Sequence, residues 1–203
     1  MSTPPSPALY PLFLKLDGRK VLVVGGGPVA AAKVGALLET GAAITVVAPD
    51  LRQDLTDLGS AGKISIERRC YEGRDLLGVW LVVAAAPPEV NQAVAAAASS
   101  QRLFVLAVDD TSAASAYGAG TFRRGDITVA VSTGGLAPAL AGLLREGLEA
   151  MLPEDLGAWT EEAVRQRAVW RQGRVPMPER RSQLLAALNS LYEARASGAK
   201  VRP

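Results

Sequence analysis

The sequence of 203 residues contains no histidine and a single cysteine, Cys70. Without histidine, the chain has no Ser-His-Asp or Cys-His catalytic machinery and no imidazole ligand for a metal. A single cysteine excludes an internal disulfide, a cysteine-rich zinc site and an iron–sulfur cluster held by this chain. Any proton transfer must therefore use a carboxylate, a lysine, a tyrosine or water, and we interpret Cys70 as a structural residue.

The net charge is small, and the sequence has no long uninterrupted apolar run. The formal net charge is +2, so the chain has no global field that would attract nucleic acid, and we expect no such partner. The best candidate for a membrane span, residues 79–98, is broken by two prolines and several polar residues. The N-terminus lacks the basic and then apolar pattern of a signal peptide. We therefore expect no membrane association and a cytoplasmic location.

The first half of the sequence alternates short apolar runs with helical patterns. Residues 21–24 are typical of a parallel strand buried on both faces. A helix is predicted over residues 29–40, ended by Gly41, and a second strand over residues 44–47. The alternation continues to about residue 110 and predicts an α/β fold with a Rossmann-like, doubly wound parallel sheet. The further predicted helices cover residues 51–61 and 90–99, and the further strands residues 64–68, 79–85 and 104–108.

The pattern changes after residue 112. The segments TFRR (121–124) and ITVAVS (127–132) flank Gly125 and Asp126, and this strand–GD–strand pattern is a β-hairpin signal. Three helices are then predicted, over residues 136–152, 156–171 and 178–195. We therefore divide the chain into a Rossmann domain (1–112), a small α+β segment (113–152) and a helical C-terminal domain (153–203).

A glycine-rich loop joins the first strand to the first helix. Residues 25–30 fit the pattern G-x-G-x-x-A. In this pattern Gly25 makes the tight turn, Gly27 lets a pyrophosphate approach the backbone, and Ala30 allows close packing of helix on strand. The loop therefore predicts a dinucleotide site. The alternative is a glycine turn in an α/β fold that binds no nucleotide.

The residues after the second strand indicate which dinucleotide binds. The acidic ligand of the adenosine ribose is expected about 20 residues after the glycines. Ala48 and Pro49 occupy the usual positions, so Asp50 is the candidate, slightly displaced. Arg52 is the one candidate for holding a 2′-phosphate. The lack of a basic cluster favours NAD over NADP.

Four segments taken together resemble one family. They are PLFL (11–14), VVGGG-x-VA-x-x-K (23–33), VAPD (47–50) and VAVSTGG-x-x-P-x-LA-x-x-LRE-x-LE (129–149). In order and spacing they resemble the precorrin-2 dehydrogenase and sirohydrochlorin ferrochelatase family, which also forms the N-terminal part of the trifunctional sirohaem synthases. The resemblance covers residues 10–153.

The resemblance implies NAD-dependent oxidation of precorrin-2 to sirohydrochlorin, in sirohaem or cobalamin biosynthesis. Some members of the family also insert Fe²⁺, and Co²⁺ is a second candidate metal; oxidation alone and oxidation with metal insertion both stay open. The family is homodimeric, with the segment 113–152 supplying most of the interface. NAD would be held by residues after the glycines, Pro28 and Val29, and by Pro49 and Asp50.

One acidic residue is the candidate catalytic group. Asp109 matches the family's acidic residue at the end of the strand before the dimerisation segment. We interpret Asp109 as the general base, or as a group that assists metal insertion by taking a pyrrole proton. The alternative is a turn-forming Asp-Asp pair with Asp110.

An anionic tetrapyrrole requires positively charged or N–H donors. Precorrin-2 carries eight carboxylates, which calls for arginine, lysine or backbone N–H groups. The alternative for each arginine is a solvated surface charge, and for the small-residue loop it is helix capping. The candidates are Arg123 and Arg124 on the hairpin, Arg145 on the following helix, and Ser132, Thr133 and Gly134 in the loop between them.

Two further features have competing interpretations. Lys33 lies either near the cofactor phosphates or on a solvated helix face. The arginines beyond residue 153 alternate with glutamates, which favours a solvated helical face over RNA binding. At the level of the whole chain, the alternative to an enzyme is a non-catalytic NAD-binding module that senses redox state.

Overall fold

The computed structural model describes residues 8–107 and 114–196. The chain forms two compact units. The first contains the residues up to Gly118 together with Gly134–Leu136, and the second contains Ala119–Thr133 and the residues from Ala137 onward. The three-part division at residues 112 and 152 stays a prediction.

The first unit is built on a sheet of five parallel strands in the order β3-β2-β1-β4-β5. This arrangement confirms the predicted α/β fold. The order runs outward in both directions from β1, so the crevice between β1 and β4 is the switch point where such sheets bind ligands. The strands are β1 (Lys20–Val24), β2 (Ala43–Val47), β3 (Ser65–Glu67), β4 (Leu81–Ala84) and β5 (Phe104–Ala107), and the helices are α1 (Pro28–Leu38), α2 (Gln53–Ser60) and α3 (Pro88–Ser100).

Helices cover both faces of this sheet. Val23 of β1 shares one core cluster with Val34 of α1, and its neighbour Leu22 shares the other with Val94 of α3. Successive side chains of a strand point to opposite faces, so a strand covered on both faces needs an uninterrupted apolar run. This explains why the runs at residues 21–24 and 44–47 predicted β1 and β2 so well.

Two of the elements that begin later than predicted do so for identifiable reasons. The helix expected from residue 51 begins only at Gln53, because its N-cap residue Arg52 has an extended backbone (ψ 154°) and its N–H donates to the carbonyl of Gly26. The strand expected from residue 79 begins at Leu81, because the N–H of Val79 donates to Leu76 in a preceding turn.

A one-turn 3₁₀ helix, Gly73–Leu76, was not predicted. Its N-terminus is held by a capping box, in which the Asp75 carboxylate accepts from the backbone N–H of Glu72 (2.9 Å). Arg69 binds the same carboxylate through two N–H groups, at 2.7 and 2.9 Å. The hydrogen bond from Arg69 lowers the pKa of the Asp75 carboxyl. The Glu-x-x-Asp spacing was the available sequence signal.

The second unit begins with the predicted hairpin, whose strands are β6 (Gly120–Arg124) and β7 (Ile127–Val131). Gly125 takes a positive φ of 57° in the turn. Helix α4 packs on the hairpin: a Cβ placed on Gly120 would lie 3.4 Å from the carbonyl oxygen of Ala141, which is buried. The helices are α4 (Pro138–Met151), α5 (Leu156–Gly173) and α6 (Met177–Ala196). Across the described ranges, no helix combines the length and apolar character that crossing a membrane requires.

The C-terminal end of α3 carries backbone strain. Arg102 has a φ of 58°, in the left-handed region that favours glycine, and the N–H of Leu103 donates to the carbonyl of Ala98 at 3.0 Å to close the helix. We expect Arg102→Gly to raise the free energy of unfolding by about 0.5–1 kcal/mol, because glycine adopts this conformation without a Cβ penalty. Chemical denaturation measures it. Arg102→Ala is the control, since it removes the same side chain but keeps the strain; an equal gain in both variants would contradict the backbone explanation.

Candidate functional site

Gly25 lies where the carboxyl ends of three strands meet. Its N–H donates to the carbonyl of Val47 at the end of β2 (3.0 Å). Its φ is 126°, and a Cβ at this position would overlap the carbonyl oxygen of Ala85, directly after β4. Both the conformation and the close approach require glycine. The predicted tight turn therefore sits at the switch point of the sheet.

Gly26 holds the loop after β2 against the glycine loop. A Cβ on Gly26 would overlap the carbonyl oxygen of Asp50, and the Gly26 carbonyl accepts from the N–H of Arg52 at 3.0 Å. The motif leaves this position variable and therefore predicts no role for Gly26. The signal that could have found it is the uninterrupted glycine triplet.

Gly27 has open space in front of it. Among the described residues, no atom beyond its chain neighbours lies within 4 Å of a Cβ built there. Gly27 is also the N-cap of α1, and the first bond of the helix runs from the N–H of Ala31 to its carbonyl. The N–H groups of Val29 and Ala30 therefore point out of the helix end, where they suit an anion. A dinucleotide pyrophosphate fits this opening.

The two candidates after β2 lie at the same end of the sheet. Ala48 is buried, whereas Pro49 and Asp50 are exposed. Because the Asp50 backbone packs directly on Gly26, its carboxylate is the first acidic group available beside the glycine loop. The displaced position of the ribose candidate is therefore explained by the burial of Ala48.

Arg52, the candidate for a 2′-phosphate, already has an acidic partner. Its guanidinium binds the carboxylate of Asp54, with Nη2 3.1 Å and Nε 3.2 Å from Oδ2. This hydrogen bond lowers the pKa of the Asp54 carboxyl. Arg52 is therefore a single arginine beside an acidic residue and not part of a basic cluster, which agrees with the expected preference for NAD.

Asp109 lies outside the described residues. The strand before it, β5, ends at Ala107. The chain returns beside β5 at Ser115, whose Oγ accepts from the N–H of Val105 (2.8 Å), and Ala116 forms a parallel bridge with Leu106. The role of Asp109 stays a prediction.

Two of the candidate arginines, both in the second unit, contact acidic or carbonyl oxygens of α4. The Nη1 of Arg145 lies 2.5 Å from the Glu149 carboxylate, and its Nη2 lies 3.0 Å from Glu146. Nη2 of Arg124 donates to the backbone carbonyl of Glu149 at 3.0 Å, while its Nε is buried with no hydrogen-bond partner in the described part of the chain. Both arginines are half-buried, so neither is a freely solvated surface charge.

The Thr133 hydroxyl in the small-residue loop before α4 has a partner at the end of that loop. Thr133 Oγ1 accepts a hydrogen bond from the N–H of Ala137 (3.1 Å), the N-cap residue of α4, and no side chain of the described residues caps the first turn of the helix. Gly134 and Gly135 both take positive φ, 63° and 80°. Anion binding and helix capping therefore both stay predictions for this loop.

The candidate residues divide between the two units. The first unit brings together Gly25, Gly27, Pro28, Val29, Pro49 and Asp50, and it also contains Gly134. The second unit contains Arg123, Arg124, Ser132, Thr133 and Arg145. Of these, Arg123 is an exposed residue of β6 that pairs in register with Thr128 of β7.

Comparisons with known proteins agree with this geometry. Residues 12–118 match the family model described as "Putative NAD(P)-binding", and residues 124–151 match the one described as "Sirohaem biosynthesis protein central". Siroheme synthase 1 of Aeromonas salmonicida is 42% identical over 193 residues, which cover 94% of this chain and 41% of that relative. Siroheme synthase 3 of Aeromonas hydrophila is 45% identical over 149 residues, which cover 73% and 32%.

A solved structure extends the comparison. SirC, a precorrin-2 dehydrogenase, is similar with a TM-score of 0.66 and 27% identity, over 88% of each chain. By contrast, this chain spans only 32–41% of the length of the two siroheme synthases.

Proposed function

The chain belongs to the NAD(P)-binding family that its residues 12–118 match, and from that membership we propose that it is an NAD-dependent dehydrogenase that oxidises precorrin-2 to sirohydrochlorin. The observation that carries the proposal is the glycine loop. Gly25 and Gly26 allow the loop to pack closely against the backbone that follows β4 and β2, while Gly27 leaves an opening at the N-terminus of α1. The likeness to a precorrin-2 dehydrogenase over 88% of both chains supports the choice of substrate.

The protein's own residues would bind, orient and accept a proton. The N–H groups of the first turn of α1 hold the pyrophosphate, and Asp50 holds the adenosine ribose. When bound, NAD supplies the hydride acceptor. Oxidation of the macrocycle then releases one proton for each hydride, and Asp109, following β5, accepts that proton.

The carboxylates of the macrocycle require cationic or N–H partners. We assign them to Arg123, Arg124, Arg145 and the loop of Ser132, Thr133 and Gly134. The position of Arg124 supports this assignment, because its half-buried guanidinium is held on the hairpin by a hydrogen bond from Nη2 to the carbonyl of Glu149.

We further propose that the protein acts as a homodimer. Helix α4 packs on the hairpin through Ala141 and leaves a stripe of large apolar side chains exposed at helical spacing. Large exposed apolar patches mark protein interfaces, and a second copy of the chain offers the same stripe. The stripe consists of Leu140, Leu143, Leu144, Leu148 and Met151.

Insertion of Fe²⁺ or Co²⁺ into the product is a second candidate activity, favoured by the likeness to proteins named siroheme synthase. No group of three or more acidic or cysteine side chains suited to a metal occurs in residues 8–107 and 114–196. The metal, as substrate, would therefore be held chiefly by the nitrogens of the macrocycle. The rate of insertion above the uncatalysed reaction measures this activity.

The oxidation is tested by mixing the protein with precorrin-2 and NAD and following NADH absorbance together with sirohydrochlorin. We expect equal amounts of the two products, and a rate at least 10-fold lower with NADP because the loop after β2 places the acidic Asp50, and no basic cluster, where a 2′-phosphate would lie. A folded protein that binds NAD but forms no NADH would instead favour the redox-sensor alternative.

A further inference from the structure

The ammonium group of Lys33 in α1 has no hydrogen-bond or ion-pair partner in residues 8–107 and 114–196. The residue is half-buried. Its Nζ lies beside Gly118, 3.1 Å from where a Cβ of that residue would stand. A half-buried lysine keeps its ammonium accessible, so its donors can be reached by a ligand oxygen. An ammonium beside a glycine, with no acidic partner among the described residues, is therefore a candidate for binding an anionic ligand.

The sheet shows which end of the first unit this ammonium occupies. Ala116 forms a parallel bridge with Leu106 of β5, so the chain runs alongside β5 in the same direction. Gly118 follows two residues later, past the level of Ala107 where β5 ends. Lys33 Nζ is therefore at the carboxyl edge of the sheet, on the β5 side, which is where parallel sheets bind their ligands.

The position of Lys33 on the β5 side indicates which anion it would bind, the pyrophosphate of the dinucleotide or a carboxylate of the substrate. Asp50 and the opening at Gly27 lie at the ends of β2 and β1, on the adenosine and pyrophosphate side of the crevice. A dinucleotide crosses the crevice from there, so its nicotinamide end and the substrate lie toward β4 and β5. The Lys33 charge, beside Gly118, is consequently on the side of the crevice where the substrate would lie.

We propose that Lys33 binds a carboxylate of the tetrapyrrole substrate and so orients the macrocycle over the nicotinamide end of the crevice. The inference rests on the proposed function and adds to it a substrate contact from the NAD-binding unit itself. A lysine suits this role because its compact ammonium donates up to three hydrogen bonds without demanding one planar geometry. The glycine at position 118 leaves room for the ligand beside it.

The test measures tetrapyrrole affinity directly. Wild type, Lys33→Gln and Lys33→Arg are titrated with sirohydrochlorin, and with uroporphyrin III as a stable octacarboxylate probe, and separately with NAD. Lys63→Gln is the matched control, because Lys63 is an exposed lysine before β3 whose side chain has no partner among the described residues. Unfolding midpoints are recorded for all four proteins.

We expect Lys33→Gln to weaken tetrapyrrole binding roughly 10-fold or more, the loss typical of a charge-assisted hydrogen bond. The dissociation constant for NAD should stay within about twofold, Lys33→Arg should restore part of the affinity, and Lys63→Gln should behave as wild type. In turnover, Lys33→Gln should raise KM for precorrin-2 with little change in kcat. Its unfolding midpoint should not fall, because the substitution removes an unpaired, half-buried charge.

Three results would overturn the inference. Unchanged tetrapyrrole affinity in Lys33→Gln would make Lys33 a solvated charge, a selective loss of NAD affinity would assign it to the cofactor, and a lowered unfolding midpoint with parallel losses of both ligands would make it structural. The wild type could also bind tetrapyrrole but form no NADH, while Lys33→Gln binds tetrapyrrole more weakly. In that case the proposed oxidation fails and the Lys33 contact stands.

Discussion

Replacing Gly27 by alanine is expected to raise the dissociation constant for NAD at least 10-fold while leaving the stability of the chain unchanged. Gly27 has a negative φ of −83°, which alanine adopts freely, and a Cβ there meets no described atom within 4 Å beyond its chain neighbours. The added methyl group would, however, fill the space through which the pyrophosphate approaches the N–H groups of α1. Loss of charge-assisted hydrogen bonds from the phosphate corresponds to roughly 10–100-fold in affinity. Calorimetric titration with NAD and thermal unfolding without it measure the two effects.

The neighbouring residue provides the control. In Gly26→Ala the new methyl group would overlap the backbone carbonyl of Asp50, which cannot move without shifting the loop after β2. We expect this variant to lose about 1–3 kcal/mol of stability, as overpacked sites do. A Gly27→Ala variant that unfolds as readily as Gly26→Ala, or that binds NAD like wild type, would contradict the assignment of Gly27 to the pyrophosphate.

The contrast between these two glycines shows what sequence can and cannot predict. The strand–glycine–helix pattern was sufficient to predict a dinucleotide loop. Because β1 is buried on both faces, it consists of four consecutive apolar residues, and the glycines directly after it are then recognisable as the loop. The role of Gly26 depends on which backbone segment packs against it. That segment is the loop at Asp50, 24 residues further along the chain. Periodicity carries no information about such an approach.

The same limit applies to the charged groups. The pairing of Arg145 with Glu149 follows from their i,i+4 spacing on a helix and could have been predicted. The bond from Arg124 to the Glu149 carbonyl joins residues 25 positions apart, and depends on how α4 packs on the hairpin. Likewise, nothing in the spacing of Lys33 reveals that Gly118 lies beside it. Sequence identified these residues as cations, and packing determined which of them lack an oxygen partner.

Replacing Asp109 by asparagine is expected to lower kcat for precorrin-2 oxidation by roughly 10²–10⁴-fold, the usual contribution of a general base. The dissociation constant for NAD should stay within about twofold, because the proposed cofactor contacts lie at the glycine loop and at Asp50. Asparagine is chosen because it forms the same side-chain turns as aspartate but cannot accept the proton. A residue needed only for an Asp-Asp turn would therefore tolerate the change.

Asp110→Asn is the matched control, since it makes the same change at the next position. Stopped-flow measurement of NADH formation under saturating NAD separates the chemical step from cofactor binding. Near-wild-type turnover in Asp109→Asn would assign the residue to the turn, and equal losses in both variants would show that the paired charge matters more than one base. A loss confined to Asp109→Asn is the result expected if this carboxylate takes the proton. Because the chain has no histidine, one of its other acid–base groups must do so.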